Sequence, residues 1–195
     1  MEIKIQETQE ILEKRKIMPE SAINMRDCEK FWNDIFNEKT EDVHEGLIRK
    51  EKDIVKKETG WSDEIVDSIG SMKEYRIYKE AKLVEGEVNE KKCLMRMDVD
   101  WDQKDEFGET NRERIAEGYS PIDKSGDRIH LHHIGQHVDS PLAELTYKEH
   151  RMDGNDAILH DKSIKTEVHG EGNKWSSEKI QYWKNRPIDG GESNE

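Results

Sequence analysis

The chain is poor in the residues that cross-link or stiffen a fold. It contains two cysteines and four prolines among 195 residues. Cys28 and Cys93 are far apart and form no CxxC pair, so the sequence offers neither a disulfide framework nor a cysteine-rich zinc motif. Two isolated thiols are typical of a protein that folds in a reducing compartment, and we expect them to be buried.

Long apolar runs are also missing. No segment approaches the roughly 20 apolar residues that a membrane-spanning helix needs. Residues 1–5 (Met-Glu-Ile-Lys-Ile) do not begin an apolar signal-peptide core. We therefore expect no membrane partner and no signal peptide. Export would then occur within a larger chain or by a leaderless route.

Excess positive charge is absent too. The formal net charge is −13, with 39% charged and only 32% hydrophobic residues. Nucleic-acid binding normally relies on Lys and Arg, so this balance is unfavourable for it if the charge is spread evenly. Most of the excess acidity falls within residues 1–119. A divalent cation bound farther along the chain would offset the remaining negative charge around its own site.

Histidine is the residue that the sequence concentrates. Seven of the eight histidines lie between His130 and His169. Imidazole is a common ligand of divalent metals and the commonest general base near neutral pH. Apolar residues run through the same stretch and predict a folded site rather than a solvated or tag-like loop: Ile129, Leu131, Ile134, Leu142, Leu145, Ile158 and Leu159.

The first part of the chain is expected to be helical. Residues 1–59 carry many charges, and one helix is predicted from Thr40 to Thr59, with Gly60 after its end. Further helices are predicted to begin after Ser62 and Ser71. This part could be a docking or delivery segment, or a helical pair that covers the later core.

The histidine-rich region predicts a strand followed by a second strand and helical turns. In a strand over residues 128–134, alternation places His130 and His132 on one side and His133 on the other. His150 and His160 are ten residues apart, so one straight helix would not direct both at a single ion. Gly154 is expected to break that helix and turn the second limb back.

Several motifs of this region resemble one known family. They are Gly108-Glu109-Thr110-Asn111 with Arg114 and Gly118, Ser120-Pro121, Leu131-His132-His133-Ile134-Gly135-Gln136, Ser140-Pro141-Leu142-Ala143-Glu144-Leu145-Thr146, Glu149-His150-Arg151, Gly154-Asn155 and Ile158-Leu159-His160. They resemble the HNH/endonuclease VII superfamily of ββα-metal nucleases, in particular the toxin subfamily with a Leu-His-His (LHH) signature. Residues 60–65 (Gly-Trp-Ser-Asp-Glu-Ile) and 182–184 (Tyr-Trp-Lys) also look like parts of that family's longer domain.

The resemblance implies an α+β fold, with a mainly helical N-terminal part followed by a ββα-metal (His-Me finger) nuclease core. It divides the chain into a charged helical segment over residues 1–59, an LHH-type nuclease domain over 60–187 and a flexible tail over 188–195. The ββα-metal core would span about residues 120–161.

The resemblance also implies roles for individual residues. His132, His150 and His160 would be metal ligands, and His133 would be the general base that activates water. Asn155 would either orient the base or complete the metal shell. The ion could be Mg²⁺, Mn²⁺, Ni²⁺ or Zn²⁺. An imidazole beside such an ion supplies both the base and the Lewis acid that phosphodiester hydrolysis needs.

The other histidines and the basic residues of this region are expected to bind no metal. His130 and His137 are expected to be polar partners rather than ligands, and His169 a surface residue. Phosphate contacts are predicted for Arg128, Arg151 and Lys162. The wider basic surface could include Lys124, Lys148, Lys165, Lys174, Lys179, Lys184 and Arg186. Interspersed acids predict modest, salt-sensitive affinity for nucleic acid.

The leading hypothesis is a metal-dependent endonuclease that hydrolyses DNA. By resemblance, it would be the toxin module of a bacterial polymorphic toxin system, meet a cognate immunity protein, and act in the cytoplasm of a target cell. The alternatives are the same fold cutting RNA, an acidic non-enzymatic protein such as a nuclease inhibitor, and a structural metal domain. The oligomeric state is left open.

Overall fold

The computed structural model describes residues 46–160 and 174–188. Most of the segment predicted as residues 1–59 lies outside these ranges. So do Cys28, Lys162, Lys165, His169 and nearly all of the predicted tail.

Three helices precede the sheet: α1 (Arg49–Thr59), α2 (Asp63–Ser68) and α3 (Met72–Glu80). The predicted start of the first helix at Thr40 is wrong, because residues 46–48 are not helical. Ile48 is extended, and its amide donates to the Glu51 carboxylate at 2.9 Å, which caps a helix that begins at Arg49. The predicted cap at Ser71 is confirmed, since its side chain accepts a hydrogen bond from the Glu74 amide.

The sheet has four strands: β1 (Val84–Val88), β2 (Lys91–Met95), β3 (His130–His133) and β4 (Leu142–Leu145). Their spatial order is β1-β2-β4-β3. β1 and β2 form an antiparallel hairpin, β2 runs parallel to β4, and β4 runs antiparallel to β3. The helices together with this mixed sheet confirm the α+β fold class.

Four more α-helices belong to the described residues: α4 (Asn111–Glu117), α5 (Tyr147–Arg151), α6 (Asn155–Leu159) and α7 (Trp175–Asn185). A short 3₁₀ helix, Ile134–Gln136, directly follows β3. Between α4 and β3, an antiparallel backbone bridge joins Ile122 to Arg128. In β3 and β4, His132 lies opposite Ala143 and His133 opposite Leu142. The β3–β4 pair and the two short helices after it therefore form the strand-strand-helix unit expected from the sequence.

A hydrophobic core joins the sheet to α4 and α7. It contains Val88, Cys93, Met95, Ile115, Ile129, Leu131, Leu142, Tyr182 and Trp183. Cys93 is fully buried, as predicted, and burial raises the pKa of its thiol to about 12. Such a thiol remains protonated and unreactive at neutral pH.

One carboxylate lies inside this core. Glu144 of β4 has no exposed surface, and it accepts hydrogen bonds from Tyr182 Oη at 2.8 Å and from Arg186 Nε at 3.0 Å. It also accepts one from the backbone amide of Arg96 at 2.8 Å. Because Tyr182 is on α7 and Arg186 follows it, Glu144 fixes the C-terminal helix to the centre of the sheet.

Among the helices of residues 46–160 and 174–188, none is both long and apolar enough to cross a bilayer.

Candidate active site

Strand β3 carries two adjacent histidines to opposite faces of the sheet. The ring of His132 packs edge-on against that of His150, with centroids 5.2 Å apart. The ring of His133 lies on the indole of Trp175, with centroids 4.4 Å apart. The alternation predicted for this strand is therefore confirmed, with His130 on the same side as His132.

The two short helices α5 and α6 carry the later histidines. Thr146 caps α5 through a reciprocal hydrogen-bonded box with Glu149. Gly154 then adopts a left-handed φ of 85° and starts α6 in a new direction. The predicted break is confirmed, and it lets His150 near the end of α5 and His160 at the end of α6 approach each other.

His132, His150 and His160 form a compact cluster, here called the histidine cluster. Each ring offers one nitrogen, and these three nitrogens lie within 4.8 Å of one another. His132 Nδ1 is 3.3 Å from His150 Nε2. Two nitrogens bound to one tetrahedral ion would be about 3.4 Å apart, given metal–nitrogen bonds of about 2.1 Å.

The donor set of the cluster also fits a metal ion. His132 and His150 are buried and His160 is half-buried, and each offers one imidazole nitrogen within 4.8 Å of the other two. Imidazole nitrogens are good ligands for divalent transition metals. The three histidines could therefore hold a divalent cation.

The rings of His132 and His150 are kept neutral. Burial, and then the neighbouring His150 and His160, lower the pKa of His132 well below its usual value. Burial, followed by the charge of Arg151, lowers the pKa of His150 to about 3. Neutral imidazoles are the form that binds metal, so these two rings need not lose a proton before they bind an ion at neutral pH.

Two neighbours fix the orientation of the cluster rings. His130 Nδ1 lies 2.8 Å from His150 Nδ1, so His130 is the polar partner that the sequence predicted. His160 Nδ1 lies 3.1 Å from the carbonyl oxygen of Asp156 and 3.2 Å from its carboxylate. Since both of those oxygens accept, Nδ1 of His160 carries the proton, and Nε2 is the nitrogen whose lone pair can bind a metal ion.

Asn155 closes the turn that joins α5 to α6. Its side-chain amide donates to the carbonyl oxygen of Glu149 at 2.9 Å. This bond ties the first residue of α6 to the residue before His150. Asn155 therefore stabilises the turn between the helices that carry His150 and His160. A catalytic role for Asn155 stays a prediction.

The turn after His133 is braced by helices from the first part of the chain. Gly135 has a φ of 71°, and its amide lies 3.3 Å from Glu74 Oε1 on α3. The other face of Gly135 is so close to α2 that an added Cβ would lie 2.5 Å from the carbonyl oxygen of Ser68. The hydroxyl of Tyr78, whose ring neighbours His132, donates to the same Glu74 carboxylate.

Replacing Gly135 with alanine is expected to lower the free energy of unfolding by more than the roughly 1–3 kcal/mol typical of a left-handed non-glycine residue. The backbone clash with Ser68 adds to the conformational cost. Urea denaturation would measure it. Gly108→Ala is the matched control, because Gly108 has a φ of 87° but no atom within 4 Å of its added Cβ. Equal losses in the two variants would contradict the close approach of α2.

Both faces of β3 open into one cleft. Its volume is about 860 Å³, and it is lined by the histidine cluster, by His130 and His133, and by residues of α7. The cationic side chains that line it are Arg114, Arg128, Arg151 and Lys179. A base candidate and a metal-binding candidate therefore share one solvent-accessible space.

One member of the predicted basic surface is wrong. Arg128 and Arg151 line the cleft, and Arg151 forms an ion pair with Asp156. Arg186, suggested as an extension of that surface, is wrong: it is 4% exposed and bound to Glu144. Arginine side chains are usually exposed, which is why the sequence suggested a surface position. The feature that indicated a buried partner was Glu144, the single charged residue in the otherwise apolar strand Leu142–Leu145.

Two residues of the site were missed in the sequence. Trp175 packs on His133, and Glu178 Oε2 lies 3.4 Å from His133 Nε2. Their three-residue spacing places them on one face of α7. That spacing alone could not reveal which strand the helix covers.

Part of the chain matches the model of a known family. Residues 110–189 match the model of a family described as a nuclease of the HNH/ENDO VII superfamily with conserved LHH. The matched segment includes β3, β4 and α4 to α7, whereas α1 to α3, β1 and β2 precede it. No solved structure matches the chain.

Proposed function

We propose that this protein is a metal-dependent endonuclease that hydrolyses phosphodiester bonds in DNA, because residues 110–189 match the family model of HNH/ENDO VII superfamily nucleases with conserved LHH. The observation that carries the proposal is the histidine cluster lying in the same cleft as His133. A structural metal site would not require a second, separately held imidazole beside it.

Nucleases of this superfamily typically use a divalent metal ion, and His132, His150 and His160 would hold it. When bound, the ion would neutralise charge that develops on the phosphate and leaving oxygen. Imidazole ligands suit Zn²⁺ and Ni²⁺ better than Mg²⁺, which prefers oxygen. Among Mg²⁺, Mn²⁺, Ni²⁺ and Zn²⁺, the all-histidine set therefore favours zinc or nickel.

The remaining chemistry is assigned to side chains of the chain itself. His133 accepts a proton from the attacking water. Arg128, Arg151 and Lys179 contact phosphates along the cleft, with Lys162 predicted to join them. Asn155 acts by fixing the turn that carries His150 and His160.

The biological setting is proposed from the LHH family. The protein would act as the toxin module of a polymorphic toxin system, be delivered to a target cell, cut DNA in its cytoplasm, and be neutralised in the producing cell by an immunity protein. Expression of the chain in a bacterial host should then be toxic, and His133→Ala should relieve that toxicity.

Plasmid cleavage tests the activity directly. We expect the purified protein to nick plasmid DNA with added divalent metal and to lose this activity in EDTA. His150→Ala should lower the rate by more than about 100-fold, because it removes a metal ligand rather than a partner of one. The rate would be followed by agarose gel with Zn²⁺, Ni²⁺, Mn²⁺ and Mg²⁺ compared, and with a structured RNA in parallel.

His137→Ala is the matched control, since His137 follows the same motif but is exposed and outside the cluster. It should cut at the wild-type rate. Cleavage of RNA but not DNA would support the proposed active site and would assign RNA as its substrate. Failure to cut either polymer, with metal bound by the folded wild-type protein, would refute the proposed function.

A further inference from the structure

The imidazole of His133 is enclosed between β3 and α7. The residue is 2% exposed, and its Nε2 atom is buried. Within residues 46–160 and 174–188 this nitrogen makes no hydrogen bond of standard geometry, yet it lies 3.4 Å from Oε2 of Glu178. That distance is at the long end of the hydrogen-bonding range, as is common for catalytic contacts before substrate binds.

The Glu178 carboxylate is itself anchored. Its Oε1 atom accepts a hydrogen bond from Lys91 Nζ at 2.7 Å, and the same ammonium group donates to the carbonyl oxygen of Val138 at 3.0 Å. Lys91 is on β2, and Val138 is in the loop between β3 and β4. One oxygen is thus held from the sheet while the other is left for His133.

The carboxylate is also kept ionised. Burial alone would raise the pKa of Glu178, but the interactions with His133 and Lys91 outweigh it and lower the pKa below its ordinary value. An ionised carboxylate can only accept hydrogen bonds. The nitrogen of His133 that faces it must therefore be the one that carries a proton.

The ring plane is fixed by a second residue of the same helix. Trp175 lies three positions before Glu178, and its indole packs on His133 at an interplanar angle of 53°. Helix α7 therefore contacts both one face of the His133 imidazole, through Trp175, and its Nε2 atom, through Glu178.

We infer that Glu178 is a positioning residue, which binds the Nε2–H group of His133 and leaves Nδ1 as the atom that takes the proton from water. This inference rests on the proposed nuclease function. Water transfers its proton to Nδ1 while its oxygen bonds to phosphorus, and the departing oxygen is protonated by solvent. The imidazolium that forms lies beside an anionic carboxylate, which stabilises it.

Two variants separate the negative charge of Glu178 from its ability to accept a hydrogen bond. Glu178→Gln keeps an acceptor oxygen but removes the charge, and Glu178→Ala removes both. We expect kcat to fall roughly 10-fold in Glu178→Gln and roughly 100-fold in Glu178→Ala, the range found when a carboxylate that orients a site histidine is removed. KM and bound metal should be unchanged, because Glu178 contacts neither phosphate nor the histidine cluster.

The tautomer of His133 gives a readout independent of activity. Long-range ¹H–¹⁵N spectra, assigned with His133→Ala, should show the Nε2–H form in the wild-type protein and in Glu178→Gln. Glu178→Ala should show a mixture of the two forms. Gln181→Ala, an exposed position one turn further along α7, is the matched control and should change neither kcat nor the spectrum.

The outcomes distinguish this inference from the proposed function. An Nδ1–H tautomer in the wild-type protein, or unchanged kcat in Glu178→Ala, would overturn the role of Glu178. A rise in KM at constant kcat would overturn it as well, since it would assign Glu178 to substrate binding. If the wild-type protein cuts no nucleic acid, the proposed function fails, and the spectra still decide whether Glu178 fixes the ring.

Discussion

Replacing His133 with alanine is expected to lower kcat by about 10²–10⁴-fold, the usual contribution of a positioned general base. Metal affinity should stay at the wild-type value, because His133 lies on the opposite face of β3 from the histidine cluster. Single-turnover cleavage at saturating metal would measure the first quantity, and calorimetric titration with Zn²⁺ the second. The combination identifies a base rather than a ligand.

A matched variant sharpens this test. His132→Ala removes a neighbouring imidazole from the same strand and should abolish tight metal binding along with cleavage. Because His133 packs on Trp175, circular dichroism and thermal unfolding must first show that both variants are folded. Loss of metal binding in His133→Ala would contradict the division of roles between the two faces.

Replacing Glu144 with glutamine is expected to destabilise the fold by about 3–5 kcal/mol, the cost of breaking one partner of a buried ion pair. Arg186 would retain its charge at 4% exposure with no anion beside it. The hydroxyl of Tyr182 would lose an ionised acceptor at the same time. Urea unfolding monitored by tryptophan fluorescence, to which the buried Trp183 beside Tyr182 contributes, would give the difference in free energy.

Two comparisons make the cause specific. Glu87→Gln removes a carboxylate from an ion pair with Lys92 that is 52% exposed on the glutamate side, and it should change stability by less than about 1 kcal/mol. The double variant Glu144→Leu/Arg186→Met should recover part of the loss, because no charge is then left buried. A loss in Glu144→Gln no larger than in Glu87→Gln would show that the core tolerates an unpaired guanidinium.

Local patterns were sufficient for the parts of the site that are close in sequence. Alternation in β3 separated His132 from His133, Thr146 capped α5, and Gly154 broke the helix before His160. Each of these features depends on backbone geometry within a few residues. Local geometry could therefore predict that His150 and His160 approach the strand, whereas the selection of His132 over His130 depended on the family resemblance.

Contacts between distant segments could not be read from local patterns. Gly135 and Glu74 are 61 residues apart, and Lys91 and Glu178 are 87 apart. Neither pair has a periodicity that links its members, and only the packing of α2, α3 and α7 on the sheet joins them. The helical part was expected to be a docking segment or a cover for the core. The described helices α2 and α3 cover the turn that follows His133.

The adjacency of His132 and His133 on one short strand has a consequence for how such a site can change over time. Sliding β3 by one residue against β4 would exchange the faces of both side chains at once. An insertion or deletion within this strand would therefore move both imidazoles to the wrong face of the sheet. A point substitution, in contrast, can alter either residue alone. Metal preference can drift through position 132 or the helices after β4 without moving the imidazole at position 133.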